Sequence, residues 1–109
     1  MKLTILAIIV ILSQVSWINL AKAANPAAIR RLLETNECSG CDLRKANLSN
    51  ANLIGADLEG ANLQGANLSG ANLAVSILSD DNLSNANLSR ATINDADLRG
   101  ANLTDAYLS

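Results

Sequence analysis

The side chains with which this 109-residue chain could do chemistry are few: two cysteines, ten carboxylates and no histidine. Cys38-Ser39-Gly40-Cys41 is a C-x-x-C, the spacing of a redox pair or of half a zinc site. A redox pair of that kind needs a βαβ setting, which the flanking sequence lacks. A structural zinc needs four ligands, so a metal here would require a second chain. The absence of histidine removes the commonest acid–base catalyst and the commonest metal ligand together. Carboxylates such as Asp95 and Asp97 recur, but no Ser/His/Asp set, phosphate-binding loop or metal cluster accompanies them. They read as outward decoration. No catalytic, cofactor or metal residue is assigned, and the chain is read as a non-enzyme.

The elements that must position these residues come in three parts. Residues 1–23 have the order of a secretory signal peptide: Met1-Lys2, an apolar run from Leu3 to Leu12 broken only by Thr4, and Ala21-Lys22-Ala23 as a small-residue cleavage site. A retained membrane anchor is the competing reading. The apolar run is shorter than the roughly 20 residues a span needs, and Gln14, Ser16 and Asn19 dilute its extension. Cleavage after Ala23 is therefore expected, with export to the periplasm or thylakoid lumen. Export also places the two cysteines where disulfides persist.

Residues 24–40 form the junction. Asn25-Pro26 is a helix start, an N-cap residue followed by proline at the first helical position. Ala28, Ile29, Leu32 and Leu33 share one helical face, so a helix from Pro26 to about Thr35 is expected to lay that face over the open end of the repeats that begin at Cys41. Cys38 and Cys41 then sit at the corner between helix and repeats. They are read as packed thiols or a short structural disulfide, and the compartment favours the disulfide.

Residues 41–109 repeat a five-residue unit, A(N/D)Lxx, as in ANLSN, ANLIG, ADLEG, ANLQG and ANLSG. Leu or Ile centres every unit from Leu43 to Leu108, and Ala, with Cys41, Ser76 and Asp81 as exceptions, stands two residues earlier. A spacing of five scatters side chains around a helix and alternates them across a strand. Only a chain that bends once per unit keeps every Leu and Ala inside. The Asn or Asp between them then points outward and bonds to the bending backbone. Gly40, Gly55, Gly60, Gly65, Gly70 and Gly100 take the corner, with Asn50 and Asn85. The near absence of aromatics, with no Phe and only Trp17 and Tyr107, fits an interior of repeated identical shapes.

The A(N/D)Lxx tandem from Cys41 to Ser109 resembles the pentapeptide-repeat family. That resemblance implies an all-β fold, a right-handed quadrilateral β-helix with four units per coil, here preceded by a short N-terminal capping helix. Inward columns would then stack at spacing 20, as in Leu43, Leu63, Leu83 and Leu103. The signal peptide, short helix and LLETNECSGCDL segment are also similar to exported pentapeptide-repeat proteins of cyanobacteria.

The informative places are the exceptions. In AVSILSDDNL, Val75 takes a corner, Ile77 replaces the outward Asn or Asp, and Ser76 and Asp81 replace inward Ala. Val75, Ile77, Asp80 and Asp81 could form a partner surface. Repeat drift with a local bulge that lets Asp81 reach water is the plainer reading, because a buried unpaired carboxylate is costly. Tyr107 and Leu108 end the last coil with strand edges uncovered, and unpaired edges invite association. A homodimer through this coil, or docking onto another protein, is expected there. The N-L-S/T matches to a glycosylation acceptor arise from the repeat itself and carry no weight.

The leader holds Lys2 and Lys22, so the chain from Ala24 carries six bases against ten acids. That balance gives no footprint for nucleic acid. The leading expectation is a structural or protein-interaction module with an unknown protein partner, no cofactor and no membrane contact after cleavage. A DNA-mimicking topoisomerase inhibitor, as some pentapeptide-repeat proteins are, would need a cytosolic location and a longer acidic rod. A thiol redox protein using Cys38 and Cys41 is the third reading.

Overall fold

A computed structural model describes residues 25–109, so the expected signal peptide lies outside the described residues. Helix α1 spans Pro26–Thr35. The Asn25 side chain accepts from the Ala27 N–H at 3.0 Å, which satisfies one of the donors a helix start leaves open. Asn36 ends the helix in the left-handed region at φ 62°, its N–H bonded to the Leu32 carbonyl at 2.8 Å. Its side chain also donates to the Ile54 carbonyl at 2.7 Å, pinning the helix end to the tower. Ala28 and Leu32 are buried and Ile29 packs against them. Leu33, expected on the same face, is instead 55% exposed. The contact is a narrow stripe through Ala28, Ile29 and Leu32, and Leu33 falls beyond its edge.

From Glu37 onward the chain winds into stacked coils of twenty residues, four units to a coil. Every bridge between coils is parallel and joins residues twenty apart, for example Asn47 to Asn67 and Asn67 to Asn87. The bridges are isolated, one outward residue per unit, rather than continuous strands. The reason is geometric: each side of the coil holds only about three extended residues before the next turn, too few for a longer ladder. The all-β expectation is met in this sparse form.

The unit 66–70 shows how every backbone donor is used. Ala66 N–H bonds the Leu63 carbonyl at 2.9 Å and closes the turn. Asn67 N–H reaches the Ala46 carbonyl one coil back at 2.9 Å. Leu68 and Gly70 N–H reach Asn87 and Ser89 carbonyls one coil forward at 2.7 and 2.8 Å. The fifth donor, Ser69 N–H, finds no carbonyl; Asn67 Oδ1 accepts it at 3.0 Å. This local bond explains why Asn or Asp recurs immediately before the Leu. The last residue of each unit, from Gly40 to Asp105, has positive φ, the conformation in which glycine bears no penalty.

Inside, Leu43, Leu48, Leu53, Leu58, Leu63, Leu68, Leu73, Leu78 and Leu83 are fully buried, each contributing about 1.5–3 kcal/mol. Among the unit centres, burial fades only in the final coil, where Leu98 and Leu103 are half-buried and Ile93 is exposed.

Candidate functional site

The cysteine corner is held by the first coil. Cys38 is fully buried beneath α1, with Sγ 3.4 Å from the Ala28 carbonyl oxygen, and Cys41 is half-buried. A turn closes between them: Cys41 N–H bonds the Cys38 carbonyl at 3.1 Å, with Gly40 at φ 70°. Their Cα atoms are 5.2 Å apart and the sulfurs are joined as a disulfide. Reactive thiols sit at helix N-termini or beside cations. Here the nearest group of α1 to the buried Cys38 sulfur is the Ala28 carbonyl oxygen, and among the described residues no cation is paired with that sulfur. Among the described residues no group of three His, Cys, Asp or Glu side chains gathers as a metal site.

Asp81 does not reach water. It is only 1% exposed, in the inward column between Ala61 and Ala101, and it does not belong to the surface on which the sequence placed it. Nor is there a bulge: the twenty-residue register holds on both sides, from Ile77 to Asp97 and from Asn82 to Asn102. Oδ1 accepts from the Ala61 N–H at 3.0 Å, while Oδ2 has no partner. Burial pushes the carboxyl up to about 8, against the pull of backbone hydrogen bonds from Ala61 and Gly60, and the nearby charges of Asp57 and Asp80 add to the rise. A neutral acid inside is cheaper than a broken coil, so the group protonates rather than turning out. Ser76, the other polar inward residue, is buried with its hydroxyl donating to the Leu73 carbonyl at 2.6 Å.

The remaining sequence exceptions are on the surface. Val75 is 57% exposed at a corner with φ 56°, and Ile77 is 39% exposed in the outward column between Asp57 and Asp97. Ile77 has no oxygen with which to accept the Ser79 N–H, so this unit lacks the bond that Asn67 supplies to Ser69. Asp80 is exposed beside them. Tyr107 and Leu108 are exposed on the last coil. Tyr107 is tied to the coil before it through its N–H to the Ala86 carbonyl at 2.9 Å. The structure thus brings Val75, Ile77 and Asp80 together, separates Tyr107 and Leu108 from them, and removes Asp81 to the interior.

Two surface features escaped the linear sequence and appear once residues are aligned at spacing twenty. The first is a sorting of charge. The face built from residues 36–40, 56–60, 76–80 and 96–100 holds Glu37, Asp57, Glu59, Asp80 and Asp97 against the single base Arg99. Arg99 is spent on Asp97 through two bonds of 2.9 and 2.7 Å, which hold that carboxyl down at about 2. Arg44 makes the same fork to Asp42 and lowers it likewise. The second is an open hollow of about 630 Å³ on another side, lined by Asn50, Ser69, Gly70, Ser89, Arg90, Tyr107 and Ser109. It holds no acidic side chain.

Residues 37–73 and 82–109, more than half of the chain, match the family described as Pentapeptide repeats, in eight copies. The unmatched gap, 74–81, is the segment that contains Val75, Ile77 and Asp81, yet the coil runs through it without a break in register. Among solved structures, the chain is similar to the pentapeptide repeat protein Rfr23 from the cyanobacterium Cyanothece 51142. That match has 34% identity and a TM-score of 0.59, over 67% of this chain and 54% of the other. HetL, a pentapeptide repeat protein involved in heterocyst differentiation regulation from Nostoc sp. strain PCC 7120, is 37% identical over 65% of this chain and 38% of its own, with a TM-score of 0.38. A pentapeptide repeat protein of the Arabidopsis thaliana thylakoid lumen is 27% identical over 64% of this chain and 56% of its own, with a TM-score of 0.33. The chain spans about half the length of Rfr23 and less of HetL. No curated protein matches it. The repeat and its relatives imply the right-handed quadrilateral β-helix, and on the match of its repeats the chain belongs to the pentapeptide-repeat family.

Proposed function

We propose that this protein is a non-enzymatic interaction module, exported to the periplasm or thylakoid lumen, whose coils hold side chains in fixed register for a protein partner. One observation carries the reading. The backbone donors of the regular units between the first and last coils, such as 61–65 and 66–70, are all satisfied within the tower, so what the middle of each face offers to other molecules is set by its outward side chains. Cys38 and Cys41 serve in this account as a staple within the first coil, beneath α1. Capture of a partner from an extract of the export compartment tests it, with insulin reduction as the control: sustained turnover by the chain would move the function to the thiols.

DNA mimicry is favoured only by the acidic face, and a gyrase supercoiling assay on the exported chain tests it. Inhibition at stoichiometric protein would replace the present reading. Pairing of two copies through Tyr107 and Leu108 belongs to the same proposal. Light scattering at micromolar concentration decides it: a dimer mass supports the pairing and a monomer mass removes it.

A further inference from the structure

We propose that Ile54, Val75 and Ile77 form a docking ridge for a basic amphipathic segment of another protein, apolar side chains over the ridge and Lys or Arg against the carboxylates beside it. The inference rests on the interaction-module reading and gives it a location and a partner chemistry.

The ridge is continuous by register. Gly55 N–H bonds the Ala74 carbonyl at 2.9 Å, which lays Ile54 and Gly55 against Ala74 and Val75 of the next coil. Ile77 follows Val75 around the corner. Ile54, Val75 and Ile77 are 46%, 57% and 39% exposed. Two of the three are held at a cost to the backbone. Val75 occupies a positive-φ corner that a β-branched side chain disfavours. Ile77 gives up the side-chain acceptor that its neighbours in the column, Asp57 and Asp97, provide to Glu59 and Arg99 at 3.1 Å. Exposed apolar side chains kept at positions where the repeat supplies Gly and Asn point to a contact rather than to the core.

Charge selects the occupant. Among the described residues Asp57, Glu59 and Asp80 have no ion-pair partner, and Asp97 has only Arg99. The other exposed charges nearly cancel: Glu34, Asp42, Asp95 and Asp105 against Arg30, Arg31, Arg44, Lys45 and Arg90. The net negative charge of the described chain therefore falls on the face that carries Ile77. Such a face repels its own copy, an anionic lipid surface and nucleic acid, and it steers a cationic segment inward. Once Lys or Arg is paired there, the apolar ridge supplies burial that charge alone does not.

The test uses the protein recovered after export of the full chain, titrated with an alternating Lys/Leu peptide and with its Glu/Leu counterpart. The Lys/Leu peptide is expected to bind, to weaken with salt, and to shift amide resonances at Ile54, Asp57, Val75 and Ile77. The double variant Val75→Gly with Ile77→Asn returns both positions to the residue types of the repeat, so the tower is kept and melting checks that. It should lose about tenfold in affinity. Asp57→Asn with Glu59→Gln should lose a similar factor, and Arg90→Ala none. Affinity unchanged in either double variant, equal binding of the Glu/Leu peptide, or shifts confined to another face overturns the proposal. If a partner is still captured from extract by the Val75→Gly/Ile77→Asn chain, the ridge is wrong and the module reading stands; if the native chain captures none, the reading itself fails.

Discussion

Asp81 Oδ1 accepts a hydrogen bond from the Ala61 N–H at 3.0 Å, from one inward position to the one directly before it in the stack. An acid thus occupies a column built for alanine, and its second oxygen has nothing to bond. Its folded pKa of about 8 lies above the unfolded value of 3.8, so folding favours the protonated form. That contribution is fully present below about pH 4 and is lost as pH rises toward 8. The chain should therefore be less stable at pH 8 than at pH 4.5 by on the order of a few kcal/mol, and melt at a lower temperature there. Asp97 and Asp42 act in the opposite sense, losing stabilisation only as pH falls through their lowered values, and as exposed pairs they weigh little. Asp81→Ala should raise the melting temperature at pH 8 and flatten the profile between pH 4.5 and 8. A flat profile in the native protein would contradict the burial of this acid.

Gly70 and Gly60 have nearly the same positive φ, 69° and 68°, but different surroundings. A Cβ at Gly70 would run into the Asn50 side chain one coil back, whereas one at Gly60 meets nothing within 4 Å. Gly60→Ala should cost about 1 kcal/mol from backbone strain alone. Gly70→Ala should cost slightly more, because the exposed Asn50 side chain must turn aside, and Asn50→Gly should recover the excess. Urea denaturation of the four chains measures this directly.

The outward Asn is a structural residue as well as a surface one. Asn67 accepts from both the Ser69 N–H at 3.0 Å and the Ser69 hydroxyl at 2.7 Å. Asn67→Ala should destabilise by about 1 kcal/mol. In hydrogen exchange the Ser79 amide, two residues after Ile77, should exchange faster than the Ser69 amide.

Val75 is the one β-branched residue among the positive-φ corners. Val75→Gly should stabilise the chain by roughly 0.5–1 kcal/mol, the strain relieved exceeding the entropy that glycine adds to the unfolded state. A fall in thermal stability would show that Val75 packs within the tower rather than serving a surface role.

Much of the fold was legible because the repeat leaves few choices. A spacing of five excludes helix and flat strand, and the columns Leu43, Leu63, Leu83 and Leu58, Leu78 are buried as the stacking requires. Asn25-Pro26 marked the start of α1 correctly. Asp81 departs from the expected surface because the cost of burying a carboxylate falls on its charged form; as a neutral acid it fits where an ionised one would not. Leu33 lies outside the contact because helical periodicity fixes a face but not how far the surface beneath it extends. The acidic face was invisible along the chain, since Asp57, Asp80 and Asp97 become neighbours only when the coil closes.

The central claim is that the regular tower serves to present its exceptions to a protein partner. Chemical cross-linking of the exported chain in an extract of its own compartment, compared with the Val75→Gly/Ile77→Asn chain and read by quantitative mass spectrometry, tests it most directly. The account predicts one saturable partner, cross-linked near Asp57, Glu59 or Asp80, and depleted at least several-fold with the double variant. Cross-linking no richer than that of a non-binding control protein would contradict it.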